Sequence, residues 1–445
     1  MKHFVQWLYP GLSIKRWMLL FSVGIIILVF GATLIMNYQI FGVMEEHMLR
    51  LAYQITGSYS YTFLAICGTI MILAGIWIML LAVRKLVKRF LELIAPDQKE
   101  VSKKLLSKIE LSRGMRIVCI GGGHGLSMLL RGLKSKTSNI SAIVTVADDG
   151  GSSGRLREEM GDLRNCLVAL ADKESVLEQL FQYRFGGEGE LAGHSLGNLF
   201  LAALIKEFGN PQNALEAASK VLNIRGQVIP ATPERVRLVA KMSDGVSVEG
   251  ESEISEYPQK AGKKVRIEKL STIPDDPIAV GDALQAIKQA DLITLGPGSL
   301  YTSVLPNLLV PEILQAIRES SAPVLYICNV MTQPGETTGF TVSDHLQAII
   351  DHVGPGFVNF VLANNGTPRP EVLAQYAKVH AYPVRIDRAK VNDLGAVLIE
   401  ADLLGIEKGA AQDNDVLANE IVQIHNLLKA NIPPDALESY LRRSH

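Results

Sequence analysis

Cysteine is scarce and scattered. Cys67, Cys119, Cys166 and Cys328 are the only four, with no C-x-x-C pair and no histidine spaced to complete a zinc set. A disulfide framework and a structural zinc are thereby excluded, and a reducing compartment is favoured. An excess of either charge is missing too. The chain sets 44 Lys and Arg against 45 Asp and Glu, a formal charge of −1 over 445 residues. That balance excludes a protein held to nucleic acid by its overall charge. Aromatic residues make up 6% and charged residues 20%, while hydrophobic residues reach 48%. Such a composition excludes disorder as the dominant state, and the length exceeds what one minimal domain needs. No internal repeat is present.

Charge is absent altogether from two long runs, Trp17 to Met44 and Leu51 to Val83. About 20 apolar residues suffice for a helix to cross a bilayer, and transmembrane helices are expected at about 17–36 and 62–83. No small-residue cleavage site follows Ile35, so the first run does not read as a signal peptide. Lys2, Lys15 and Arg16 precede the first run, and Arg84, Lys85, Lys88 and Arg89 follow the second. Glu45, Glu46 and Arg50, between the runs, carry no cationic excess. The positive-inside rule then puts both chain ends in the cytoplasm, in a multi-pass protein of the cell membrane. Residues 1–83 form the anchor, 84–112 a basic juxtamembrane helix or linker, and 113–445 a cytosolic domain.

In that domain, the β-branched run Met115–Ile120 enters Gly121-Gly122-Gly123-His124-Gly125, and a helical pattern through Leu126, Leu129, Leu130 and Leu133 follows. A second strand is expected at Ile140–Val146. This order opens a Rossmann-like unit and presents backbone N–H groups to an anion at a helix N-terminus. The glycines match neither G-x-G-x-x-G nor a P-loop. Later strands are expected at Leu292–Leu295, Val324–Cys328 and Val358–Leu362, beside helices at Asp282–Gln289, Val310–Arg318 and Ser343–His352. The fold class is therefore α/β, a Rossmann-like, mostly parallel sheet with a helical insertion over Leu156–Leu222. Val236–Glu249 alternates around Ser243-Asp244-Gly245 and predicts a hairpin.

Polar loops at strand ends carry the chemistry. Asp148 and Asp149 follow the second strand and suit a ribose hydroxyl or a divalent cation. Ser152 and Ser153 lie in the hydroxyl-rich turn after them, and Arg155, Arg157 and Arg164 offer guanidinium forks for phosphate. Gly193-His194-Ser195-Leu196-Gly197 matches the G-x-S-x-G nucleophile elbow. The elbow needs a strand before it, and Gly186–Glu190 cannot be a buried one. His194, Ser195 and Asn198 therefore read as polar ligand contacts at the start of a helix over Leu199–Glu207, with a serine hydrolase a distant alternative. Gly296–Ser303, including Gly298, Ser299 and Tyr301, forms a second glycine and hydroxyl loop; Asn329 to Glu336, including Thr332, forms a third. Asp344 and His345 extend this set or serve as a helix cap and a surface residue. Together the loops describe a cleft for a phosphorylated, hydroxyl-rich ligand.

The ordered motifs GGGHGLS, ADDGGSSGRLR, GDLRNCL, GHSLGNL, GPGSLYTSVLPNLLV and NVMTQPGET resemble the YvcK/CofD family, and more closely its gluconeogenesis-factor (YvcK-like) branch. The resemblance spans about Gly114 to Asn364, and the N-terminal runs are an addition that some members carry. It implies a Rossmann-like core, a homo-oligomer, and one of two functions. The YvcK-like branch binds UDP-sugars such as UDP-N-acetylglucosamine or UDP-glucose and influences carbon metabolism, cell-wall synthesis and cell shape. The CofD branch transfers 2-phospho-L-lactate in deazaflavin coenzyme synthesis and uses Mg²⁺. By position, Gly122, Gly123, His124 and Gly125 match the family's phosphate-binding turn, and Asp148 and Asp149 its acidic turn, the Mg²⁺ ligands if the transferase reading holds. Gly296–Ser303 matches the second phosphate loop, and Asn329 and Thr332 lie in the third. No residue for recognising a deazaflavin is identifiable.

Overall fold

A computed structural model describes residues 14–36, 61–94, 109–146, 161–172, 174–187, 191–261, 265–404, 412–430 and 432–433, with isolated positions between 42 and 57. The chain divides into two compact units, Met1–Ser107 and Lys108–His445.

The first unit contains helices α1 (Ile14–Met36) and α2 (Tyr61–Ile94). Glycines bring them together. A side chain at Gly24 would meet the carbonyl of Gly75, and one at Gly31 would meet the carbonyl of Gly68. Heptad spacing of glycine on both helices thus lets their backbones approach closely. The outer faces carry exposed Leu19, Ile26, Leu73 and Trp77. Of the two, the stretch Ala65–Lys88 of α2 is long and apolar enough to cross a membrane, whereas Trp17–Thr33 of α1 is shorter. The expected span at 62–83 is part of a helix that runs on through the basic residues Arg84, Lys85 and Lys88 to Ile94.

The second unit begins with β1 (Ile117–Gly121), α3 (Gly123–Leu133) and β2 (Ile140–Val144), as the sequence predicts to within a few residues. The helical region that follows holds α4 (Gly161–Leu170), α5 (Glu174–Gln182), α6 (Leu196–Phe208) and α7 (Pro211–Leu222), and forms the crossover to β3 (Gln227–Pro230). Then come β4 (Arg237–Met242), β5 (Ser247–Glu249), α8 (Glu251–Lys260) and β6 (Ile267–Ile273). The expected hairpin is present: β4 pairs antiparallel with β5, and β6 pairs antiparallel with β4 on its other edge. The chain returns through α9 (Gly281–Gln289), β7 (Leu292–Leu295), α10 (Pro311–Glu319), β8 (Val324–Ile327) and α11 (Val342–Val353). It finishes with β9 (Phe360–Asn364), α12 (Pro370–Lys378), α13 (Arg388–Asp393), β10 (Val397–Ala401) and α14 (Asn414–Lys429).

The main sheet has the order β10-β9-β8-β7-β1-β2-β3, and every neighbouring pair is parallel. Its centre is buried on both faces. Ile117 and Cys119 of β1 join one apolar cluster, while Val118 and Ile120 join the other. Such strands read as continuous apolar runs, which is why β1, β7 and β8 were legible. The sequence reading did not find β3, β6, β10 or α14. Gln227–Pro230 starts after a glycine and ends in proline, and β6 and β10 interleave Glu, Lys, Ser or Thr with their apolar positions. The described cysteines are free, and Cys119, Cys166 and Cys328 are buried.

Candidate functional site

Strand order reverses beside β1. The chain moves outward from β1 to β3, then returns to place β7 on the other flank of β1. In an open α/β sheet a ligand crevice forms at the strand C-termini of such a reversal. The Gly296 N–H donates to the Ile120 carbonyl at 2.8 Å, which locks the ends of β1 and β7 together. Close approach then dictates glycine. A Cβ at Gly125 would lie 2.8 Å from the Pro297 carbonyl oxygen, and one at Gly298 would lie 3.0 Å from the Gly122 carbonyl oxygen. At Gly122 it would meet Asp162, Ser303 and Thr145. Gly123 has a φ of +69°, in the left-handed region that glycine tolerates. The expected first and second phosphate loops are thus in direct contact, at the N-terminus of α3, with His124 exposed beside them.

The third loop clamps the second. Asn329 Nδ2 donates to the Gly298 carbonyl at 2.8 Å, and the Gly298 N–H donates to Asn329 Oδ1 at 3.3 Å. Gln333 Nε2 donates to Ser299 Oγ at 2.6 Å. Asn307 Nδ2 donates to the Ser303 carbonyl at 2.8 Å, behind the loop. Glu336, 5% exposed, accepts from the Tyr301 N–H and from the hydroxyls of Thr302 and Ser255. Burial raises its pKa, and these donors pull it back. A carboxylate receiving the N–H at the start of the helical segment Leu300–Val304 fixes the loop from inside.

Asp162, in the first turn of α4, accepts the Gly123 N–H at 2.5 Å. Burial raises its pKa; the Gly123 hydrogen bond and Arg164 act in the opposite sense. Arg164 is buried against Gly197 and donates to Ser195 Oγ at 2.6 Å, Asn198 Oδ1 at 2.9 Å and Asn165 Oδ1 at 3.0 Å. Its pKa is lowered by burial and by Arg184. Ser195 also caps α6 by accepting the Asn198 N–H. With a guanidinium and an amide both donating to its oxygen, Ser195 is an acceptor and cap, not an activated nucleophile. Among the described residues no strand leads into it either; Arg184 and Ser195 form only an isolated bridge. The adjacent His194 is buried, and its Nδ1 has no hydrogen-bond partner.

The structure therefore brings Gly122, Gly123, His124, Gly125, Gly298, Ser299 and Asn329 together where the strand order reverses, and ties Arg164, Ser195 and Asn198 to them through the first turn of α4. Two expected contacts turn away. Tyr301 is 3% exposed, with its ring edge-on to His352 in the core. Thr332 is 4% exposed, and its hydroxyl accepts the Tyr382 N–H at 3.0 Å. Asp344 forms a capping box with Thr341, and His345 is fully buried, so neither extends the crevice. Asp148, Asp149, Ser152, Ser153, Arg155 and Arg157 lie outside the described residues. Among the described residues no group of three His, Cys, Asp or Glu is placed to hold a metal. Sequence reasoning singled out neither Asp162 nor Asn307, and it held Ser303, Gln333 and Glu336 only as members of the second and third loops without a role of their own. Their roles depend on contacts that spacing does not record: Asp162 to Gly123, Gln333 to Ser299 and Glu336 to Tyr301 are each more than 30 residues apart along the chain.

The family described as 2-phospho-L-lactate transferase CofD matches residues 117–404. A relative from a Nostoc species is 46% identical over 413 residues, covering 91% of this chain and 88% of its own. The gluconeogenesis factor of Bacillus subtilis is 45% identical over 318 residues, covering 70% of this chain and 96% of its own. A crystal structure of a upf0052 family member from Bacillus halodurans superposes with a TM-score of 0.64 at 48% identity, over 70% of this chain and 99% of that one.

Proposed function

Because this chain belongs to the CofD family, on its gluconeogenesis-factor (YvcK-like) branch, we propose that the crevice binds a nucleotide sugar and that the protein is a regulator. The ligand is of the UDP-N-acetylglucosamine or UDP-glucose kind, and the regulation links carbon metabolism to cell-wall synthesis and cell shape. The observation that carries this reading is the contact of two glycine loops at the point where the strand order reverses. N–H donors at the start of α3 and the hydroxyl of Ser299 then face a diphosphate from two sides. A regulator needs no nucleophile, and Ser195 is engaged as a cap.

The anchor belongs to the same proposal. Helices α1 and α2 insert as a hairpin whose exposed Leu19, Ile26, Leu73 and Trp77 face lipid, with both chain ends in the cytoplasm.

The matched family description favours one rival, a transferase, which by the resemblance would use Mg²⁺. Mg²⁺ is commonly held by one or two carboxylates together with substrate phosphates. Asp162 is one such carboxylate at the glycine turn, and the described residues do not make a metal site without the ligand's phosphates.

Calorimetric titration of the protein with UDP-N-acetylglucosamine and with GDP, each with and without Mg²⁺, tests the proposal. Tight binding of the UDP-sugar without turnover is the expected result. Binding of GDP alone, dependent on Mg²⁺, would replace the regulator with the transferase.

A further inference from the structure

A cavity opens at the opposite end of the sheet from the glycine loops. It has a volume of about 570 Å³ and lies where β1, β7 and β8 begin. Met115, Val422 and Leu428 supply apolar lining, and Arg113, Lys136 and Lys429 bring three cations. All three are exposed, and none forms an ion pair with a described residue. Asp291 is the single carboxylate of the lining, and its charge is matched by Arg116 at 2.7 Å. The lining therefore carries a net positive charge.

This is also the end at which the chain enters the domain. Asn139 Nδ2 donates to the carbonyls of Ser112 and Gly114, Thr137 Oγ1 donates to that of Met115, and the Ser138 N–H donates to that of Leu111. These bonds fix the incoming segment along the cavity rim. Lys429, in the last turn of α14, stands at the helix end that favours a cation.

We propose that this basal cavity is a docking surface for anionic phospholipid headgroups. A headgroup phosphate meets Arg113, Lys136 and Lys429, and the start of an acyl chain meets the apolar lining. The choice of lipid over free phosphate rests on the membrane-anchor reading above. Because every strand of the main sheet is parallel, seating its N-terminal end on lipid turns the nucleotide crevice at the C-terminal end toward the cytosol. Docking thereby sets which end of the sheet meets lipid.

The domain can be tested without the anchor. Lys108–His445 is a compact unit by itself, and the crystallised Bacillus halodurans relative, 48% identical, has 99% of its length covered by 70% of this chain. Sedimentation of residues 108–445 with vesicles of phosphatidylcholine, alone or mixed equally with phosphatidylglycerol, is the measurement. Partitioning onto the mixed vesicles only is expected. Arg113→Gln, Lys136→Gln and Lys429→Gln should each lower it about five-fold, and the triple variant about 100-fold. The thermal midpoint of the same variants serves as the folding control. Should the triple variant be unstable, the wild-type salt dependence replaces it, and partitioning must fall as NaCl is raised. Equal binding to both vesicle types, or a folded triple variant that binds like wild type, would overturn the proposal. So would displacement from vesicles by inorganic phosphate at constant ionic strength, which would mark the cavity as a free-anion site. These outcomes are independent of whether the crevice binds UDP-sugar, and of whether the full chain fractionates with membranes.

Discussion

Asp162 accepts the backbone N–H of Gly123 at 2.5 Å, so the chain's own carboxylate stands at the glycine turn where the ligand's diphosphate is proposed to bind. Two anions at one cradle repel. Asn keeps an acceptor oxygen for Gly123 and removes the charge. Asp162→Asn should therefore tighten Mg²⁺-free binding of UDP-N-acetylglucosamine by about tenfold, or ~1.4 kcal/mol. The stability effect has a definite sign as well. Burial raises the Asp162 pKa above its ordinary 3.8, so this group's contribution is full below that pH and is lost as pH rises through the raised value. Asp162→Asn should be at least as stable as wild type at pH 7. Weaker binding together with a lower melting temperature would contradict both statements.

Gly125→Ala places a methyl 2.8 Å from the Pro297 carbonyl oxygen, which must drive the first two phosphate loops apart. Overpacking of this kind costs about 1–3 kcal/mol, and nucleotide-sugar affinity should fall more than tenfold by calorimetry. Gly281→Ala is the control. It lies in the first turn of α9 with nothing within 4 Å of the added methyl, and should leave binding unchanged.

Arg164→Leu leaves Ser195 Oγ, Asn198 Oδ1 and Asn165 Oδ1 without their charged donor. Ser195 Oγ keeps the Asn198 N–H and Asn165 Oδ1 keeps the Gln182 amide, so what is lost is the charged donor itself; hydrogen bonds to charged groups contribute about 1.5–3 kcal/mol, and urea unfolding should show a loss of roughly 3 kcal/mol. Ser195→Ala removes a helix cap worth about 1 kcal/mol and should retain both the fold and the binding. Complete loss of function in a folded Ser195→Ala protein would revive the hydrolase.

His352 Nε2 accepts the Leu270 N–H at 2.9 Å, and its Nδ1 pairs with the Ala348 carbonyl at 2.7 Å. A proton on Nε2 would break the link from α11 to β6. Burial lowers the pKa of both His352 and His345 from the ordinary 6.5. Their stabilisation is complete above that value and is lost as pH falls through the lowered ones, by up to about 1.4 kcal/mol per pH unit for each group. Melting temperatures measured from pH 7.5 to 5 should decline below about 6.5, and His352→Gln should flatten the decline. An unchanged slope in that variant would assign the effect elsewhere.

The hairpin reading fixes a topology. A cysteine placed at Glu46, between the helices, should react in intact cells with a maleimide that cannot cross membranes, in a Cys67→Ser background. One placed at Lys288, in the domain, should react only after lysis. Reaction of both, or of the second alone, would refute the orientation.

The sequence by itself determined the glycine turn, the alternation of strands and helices, the three polar loops and the family. Each is written in neighbouring residues: apolar runs in β1, β7 and β8, glycines at their ends, and hydroxyl or amide residues beyond them. It also determined the hairpin of β4 and β5, because alternation around Ser243-Asp244-Gly245 is local. The tertiary structure alone decided which polar residues reach the crevice. Tyr301 and Ser299 sit two apart in one motif, yet packing turns the tyrosine into the core and leaves Ser299 at the rim. Asp162 and Glu336 became site residues only when parallel pairing brought Gly123 and Tyr301 to them, 39 and 35 positions away along the chain. Spacing along a chain records the period of an element; it does not record which distant carboxylate will fill the space that a missing Cβ leaves open.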